Sequence, residues 1–165
     1  MILGFSTQLN GKPTYFVEKI LIGIDKHLGI YHTELFIKAF KEKFESTVPV
    51  NYNSKIHTMR EDKKERWKPG TKIDFFINCR QVNMFRFAPV LPVVSVQKVH
   101  IMYKPESVFF ARTYPADVYI DERWLGVHEI AELAHNDGFD TIEDFFAYFN
   151  QDFTGKLIHW TDLRY

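Results

Sequence analysis

The chain has 165 residues, 45% of them apolar, with 21 basic and 21 acidic side chains that cancel to no net charge. That length suits one domain around one core. The sixteen phenylalanines make that core strongly aromatic, which excludes disordered and fibrous classes. No apolar run approaches the roughly 18 residues of a membrane span, the opening Met1-Ile-Leu-Gly-Phe lacks the basic start of a signal peptide, and Cys79 is the only cysteine, so a cytosolic protein without disulfide or thiolate zinc is expected.

In chain order, residues 2–5 read as a first strand, followed by a turn at Asn10-Gly11. Pro13 suits the first turn of a helix because its missing amide proton costs nothing there, and Phe16, Ile20 and Ile24 recur on one face before Gly23 and Gly29 at a ragged end. A second helix is expected over 32–45, with Phe36, Phe40 and Phe44 at spacing four. Residues 46–54 read as a connection. Lys68-Pro69-Gly70 marks a turn and residues 72–77 a strand. From Pro92 to Tyr103 the apolar positions change face, Val94 and Val96 on one side and Val99, Ile101 and Tyr103 on the other, so a bulge near Gln97-Lys98 is expected. Short strands at 107–111 and 118–120, a turn at Asp121-Glu122, and a helix with Ile130, Leu133 and Ala134 inward and Gly138 at its end come next. Asp140-Thr-Ile-Glu143 has the spacing of a capping box, opening a helix with Phe145, Phe146 and Phe149, and the final strand begins at Lys156. A closing strand paired with the first would remove two sheet edges, which predicts a small barrel.

Charge is unevenly placed. Residues 55–72 hold seven basic and three acidic side chains, whereas nine acidic residues face only Arg123 over 117–144. Either the two segments neutralise each other or they give a basic mouth that orients an anionic partner such as a nucleotide or RNA.

Lys55-Ile-His57-Thr58-Met-Arg60 carries the strongest chemical signal: an amine that works as a base only if its pKa is lowered, a hydroxyl, and a permanent guanidinium fork. In one straight strand Lys55 and Thr58 point to opposite sides, so they meet only if the segment bends. If they meet, a desolvated amine can take the Thr58 proton as its oxygen attacks a carbonyl, and Arg60 offers a fork for phosphate, carboxylate or oxyanion. The plain alternative is a surface lysine and a strand threonine. His57 shares the Lys55 parity and is either solvated, structurally bonded or a proton exchanger. Asp137, just before Gly138, is the best carboxylate for orienting Lys55 or protonating a departing amine, or is an ordinary capping residue. Trp67 between Arg66 and Lys68 reads either as a base-stacking indole flanked by phosphate-binding cations or as a cover for the barrel end. The histidines are scattered, and His128 and His135 sit about 10 Å apart along a helix, too far to clasp one ion, so neither metal nor cofactor is expected.

The segments SKIHTMRED at 54–62, WKPGTKIDFFI at 67–77, VVSVQKVHI at 93–101 and AHNDGFDTIEDFF at 134–146 together resemble the ASCH family, a branch of small PUA-like β-barrels. The resemblance implies an α+β fold: one domain over 1–165, a PUA-like β-barrel with flanking helices, and an N-terminal helical insertion at about 25–53. It also implies RNA binding or, by similarity to a branch that hydrolyses N4-acetylcytidine, an amidohydrolase with Lys55 activating Thr58 and Asp137 at the position of a glutamate. Three expectations therefore stand: RNA or modified-nucleoside binding through a basic cleft using Lys55, Arg60, Trp67, His57, Arg66 and Lys68; amide hydrolysis by Lys55, Thr58 and Asp137; and a protein-interaction module.

Overall fold

The computed structural model describes residues 1–29, 33–44, 52–104 and 114–165. The first hairpin is β1 (Ile2–Phe5) leading to β2 (Gln8–Leu9) and β3 (Lys12–Pro13), which pair antiparallel across Asn10-Gly11. Pro13 thus lies at the edge of a hairpin rather than inside a helix. Helix α1 (Phe16–Leu28) starts three residues later, after Tyr15 in the left-handed region (φ 53°), and ends at Gly29 (φ 60°), whose N–H donates to Asp25 O at 3.1 Å. Helix α2 (Thr33–Phe44) packs Phe40 into the core, and Phe44 meets Phe85 edge-on. The expected strand at 107–111 and most of the connection at 46–54 lie outside the described residues.

The remaining strands are β4 (His57–Arg60), β5 (Lys72–Ile77), β6 (Phe85–Arg86), β7 (Leu91–Pro92), β8 (Ser95–Tyr103), β9 (Ala116–Ile120), β10 (Arg123–Trp124) and β11 (Phe153–His159), with α3 (Val127–Asn136) and α4 (Ile142–Tyr148) between the last two. A mixed sheet has β5 at its centre: β1 runs parallel to it, and β6 and β7 antiparallel. A five-stranded antiparallel sheet follows the order β10-β9-β8-β11-β4.

The fold is α+β, and the expected PUA-like barrel is not formed: the two sheets do not close. The last strand uses one edge for β8 and the other for β4, so no edge remains for β1, which instead pairs with β5. Between β4 and β1 the link is a side chain, Arg60 Nη2 donating to Gly4 O at 2.7 Å.

Along β11, Leu157 belongs to a core with α3 and α4, while Ile158 belongs to a core with β1, β5 and α1, so this sheet is buried on both faces. The first core is aromatic: Phe5 stacks on Phe75 at 6.0 Å, and Trp160 meets Phe75 edge-on at 5.2 Å. The expected bulge in β8 is absent. Its register against β11 runs unbroken from Ile101 opposite Phe153 to Ser95 opposite His159: Ser95 and Gln97 are buried on the face of Val99 and Ile101, while Val96, opposite Ile158, packs partly buried on the first core. The buried Gln97 amide is satisfied, donating to Asp121 Oδ2 and Tyr165 O at 3.0 Å each and accepting from Tyr165 N. Asp121 and Glu122 both have positive φ and close the β9–β10 hairpin. The capping residue of α4 is Thr141, one position after the expected Asp140, and its hydroxyl accepts from Asp144 N at 3.0 Å. Among the described residues no helix is long and apolar enough to cross a membrane.

Candidate active site

Lys55 lies just outside β4, so strand alternation does not apply to it. Its N–H donates to Lys19 O on α1 at 2.9 Å, and the next N–H, of Ile56, donates to Asn136 O at the end of α3 at 3.0 Å. The segment is therefore stapled between two helices. Gly23 permits this approach, since a Cβ there would fall 2.7 Å from Lys55 O and 3.1 Å from Ile56 Cγ2. Alanine in an exposed helix is worth about 1 kcal/mol over glycine; here Gly23→Ala is expected to destabilise the protein instead, because backbone must move. Thermal melts of the two chains check the sign.

The lysine side chain then runs inward and is 1% exposed. Its Nζ lies 2.8 Å from Asp137 Oδ1 and also donates to Asp137 O. It sits 4.7 Å from the centroid of the Phe16 ring and 5.9 Å from that of Phe5. Asp137 follows α3 and precedes Gly138, whose φ of 89° ends the helix. A Cβ at Gly138 would meet Lys55 Cδ at 2.9 Å and Phe16 at 3.0 Å, so the left-handed glycine also leaves the space that the lysine fills.

Burial lowers Lys55 from its usual 10.5 to about 8; the Asp137 charge and hydrogen bond resist the drop, and the Arg60 and Lys19 charges assist it. Burial pushes Asp137 upward, but Lys55 and His57 outweigh it and hold the carboxyl below its ordinary range. His57 is lowered, chiefly by burial and against the pull of Asp137. Its Nδ1 is 3.6 Å from Asp137 Oδ1, an electrostatic contact beyond hydrogen-bond distance, and Nε2 is 2.8 Å from Tyr165 Oη.

In β4, Met59 and its partner Leu157 face the second core, whereas Ile158, opposite Thr58, faces the first. Thr58 and Arg60 therefore share the face toward Phe5, over whose ring the Arg60 guanidinium carbon lies at 5.3 Å. Lys55 and Arg60 thus both reach the Phe5 ring, and Thr58 shares the Arg60 face of β4. Thr58 is a buried residue whose hydroxyl makes no hydrogen bond to Lys55, whose nearest acceptors are both on Asp137. Arg60 is anchored through Nη2, while its buried Nε has no acceptor among the described residues.

The other expected ligand residues are elsewhere. Asp62 accepts from Arg66 N at 3.0 Å and Trp67 N at 2.9 Å, closing a turn that points the indole into the first core and leaves Arg66 and Lys68 exposed. Trp67 is 7% exposed and offers no face to a base. Among the described residues, no group of three or more histidine, cysteine or acidic side chains is placed to hold a metal ion.

Sequence reasoning missed Lys19, Asn136 and Tyr165. Lys19 is buried on the apolar face of α1, donating to Gly138 O at 2.8 Å and to Asp140 Oδ1 at 2.6 Å. Its position between Phe16 and Ile20 in that stripe was the available signal. Tyr165 Oη accepts from Asn136 Nδ2 at 2.9 Å, a contact across 29 residues with no sequence signature. Beside the site, a cavity of about 200 Å³ has Phe16, Phe139 and Tyr148 as aromatic walls and Lys19 and Asp140 among its polar groups. Phe16 and Gly138 separate it from Lys55.

No family model matches the chain, and neither does any curated protein or solved structure. The resemblance to the ASCH family therefore rests on its sequence motifs alone.

Proposed function

We propose that this protein is an amidohydrolase acting on a small planar N-acylated substrate, such as an N-acylated nucleoside of the N4-acetylcytidine type. The observation that carries the reading is the Lys55 amine, enclosed by Phe5 and Phe16, paired with Asp137 and lowered to about 8, where a neutral fraction exists at physiological pH. A lysine placed only to meet phosphate has no need of burial.

In this scheme neutral Lys55, which makes no hydrogen bond to Thr58 in the substrate-free chain, closes on it to take the hydroxyl proton as Oγ1 adds to the acyl carbon and the carbonyl electron pair moves to oxygen. The Arg60 Nε–H, buried without an acceptor among the described residues, is the donor available to that oxyanion. Collapse breaks the carbon–nitrogen bond, and the departing amine takes the proton from Lys55. Water then adds to the acyl-threonine, Lys55 takes its proton, and Thr58 leaves reprotonated. Asp137 keeps the amine aimed throughout. The nearby aromatic cavity suits a flat ring, and entry to the amine requires the Phe16 ring to swing aside.

A second reading is favoured by one observation: Lys63, Lys64, Arg66 and Lys68 are all exposed on the turn that Asp62 closes, a basic loop suited to phosphates without base stacking. One experiment separates the two. Purified protein is incubated with N4-acetylcytidine and cytidine is followed by chromatography, with Thr58→Ala as control; in parallel, RNA retention is measured against salt for wild type and Arg66→Ala/Lys68→Ala. Cytidine release that disappears in Thr58→Ala is expected. No release, with salt-sensitive retention weakened by the double variant, overturns hydrolysis in favour of RNA binding.

A further inference from the structure

The hydrogen-bond pattern around His57 determines its tautomer. Among the described residues Tyr165 Oη has two polar neighbours, Asn136 Nδ2 at 2.9 Å and His57 Nε2 at 2.8 Å. Asn136 Nδ2 can only donate, so the phenolic proton has one acceptor left, the Nε2 lone pair. Burial raises the Tyr165 pKa, so that proton stays in place. Nε2 therefore accepts, the ring proton is on Nδ1, and Nδ1–H faces Asp137 Oδ1 at 3.6 Å with no other acceptor in reach among the described residues. The opposite tautomer sets an imidazole lone pair against a carboxylate and leaves the tyrosine proton unmatched.

We propose that Tyr165 and Asn136 are positioning residues that fix His57 as an Nδ1–H donor, and that His57 takes over the Asp137 carboxylate whenever Lys55 gives up its charge. The proposal rests on the reading of Lys55 as the base that cycles between charged and neutral forms. A buried carboxylate whose only cation becomes neutral is costly, and that cost resists deprotonation of the lysine. A second donor already aimed at the same oxygen reduces it. Closing from 3.6 Å to about 2.9 Å is a small rotation of a ring hinged on the Tyr165 hydrogen bond. His57 does not need to become cationic, in keeping with its lowered pKa.

The charged and titratable groups around this relay come from several elements. Asp137 and Glu132 approach from the α3 side, Lys55 from the α1-bound segment, His159 from β11 and Tyr165 beyond it, while Lys19 of α1 and Arg60 of β4 act on Lys55. Among the described residues neither ring nitrogen of His159 has a partner, and burial, helped by the nearby His57, holds its pKa at about 3, so it stays neutral and supplies no competing switch.

The test uses the folded full chain without substrate. Nitrogen-15 spectra of the His57 imidazole give its tautomer, and the Lys55 side chain is titrated in wild type, Tyr165→Phe and His57→Leu. Expected are a protonated Nδ1 in wild type, a Lys55 midpoint raised by roughly half to one pH unit in Tyr165→Phe, the scale of one net hydrogen bond, and a larger rise in His57→Leu. A protonated Nε2 in wild type, or a Lys55 midpoint equal to wild type in either variant, overturns the proposal. Should His57→Leu fail to fold, the wild-type tautomer and the Tyr165→Phe titration still decide. Because none of these readouts involves turnover, failure of amide hydrolysis and failure of the relay are told apart.

Discussion

Lys55→Met is expected to lower turnover by about 10² to 10⁴, the usual worth of a positioned proton acceptor, and to cost about 3–5 kcal/mol of stability. The methionine fills much of the same volume, so packing against Phe5 and Phe16 is largely kept. What is lost is the counter-charge of a carboxylate that is itself buried, 2.8 Å from the missing nitrogen. Urea denaturation measures the stability term. The double variant Lys55→Met/Asp137→Leu separates the two effects: replacing both members of a buried ion pair with apolar groups is often neutral. Stability is expected to return in the double variant while turnover stays absent. A double variant as unstable as the single one would show that the loss is one of shape and not of charge.

Asp137→Asn is expected to act on the same pair from the other side. Without the carboxylate, burial and the Arg60 and Lys19 charges lower Lys55 below about 8 unopposed. The acid limb of the rate profile, which in the wild type rises as Lys55 loses its proton, is expected to move to lower pH while the maximal rate falls. The stability cost has a ceiling. A buried lysine can always shed its proton, and keeping an amine of ordinary pKa 10.5 neutral at pH 7 costs roughly 5 kcal/mol at about 1.4 per unit. The sign of the pH dependence follows from the wild-type values. Lys55 is lower in the folded chain, so between about 8 and 10.5 the unfolded chain binds more protons, and this group's contribution to stability improves as pH rises through that window. Asp137 is depressed, so its contribution is present above its ordinary 3.8 and is lost as pH falls below that value. Melts across pH in wild type and Asp137→Asn check both limbs, and an acid limb unmoved in Asp137→Asn would remove Asp137 from the control of Lys55.

Local signals in the sequence located many elements because they are written in neighbouring residues. Phe16, Ile20 and Ile24 mark α1, Gly138 marks the end of α3, and Asp121-Glu122 marks a hairpin, all within one or two turns of chain. Two local readings failed where tertiary contacts prevailed. Pro13 pairs with Gln8 instead of opening α1, and β8 buries Gln97 without a bulge because Asp121 and Tyr165, 24 and 68 residues away, satisfy its amide. The barrel failed for a related reason: which strand takes the free edge of β11 depends on β4, a four-residue segment with little pattern of its own.

The site was legible as residue types near one another in sequence, Lys55, Thr58 and Arg60, with Asp137 marked by its place before the helix-ending Gly138. Their enclosure was not legible. It depends on Gly23 admitting the Lys55 backbone to α1 and on Phe5 and Phe16 covering the amine, contacts that join three distant parts of the chain. Trp67 shows the converse. Its basic neighbours suggested a stacking platform, but the Asp62 carboxylate, bonded to two backbone N–H groups, turns the indole inward.

The most direct measurement is the titration of Lys55 Nζ in the folded wild-type chain, followed by NMR of its side chain from about pH 6 to about pH 11, a range spanning both the lowered and the ordinary lysine values. A midpoint near 8 is expected for an amine enclosed by Phe5 and Phe16 and held by Asp137. A midpoint at the ordinary 10.5 would mean that the amine is solvated, and would contradict both the buried pair and the hydrolytic role built on it.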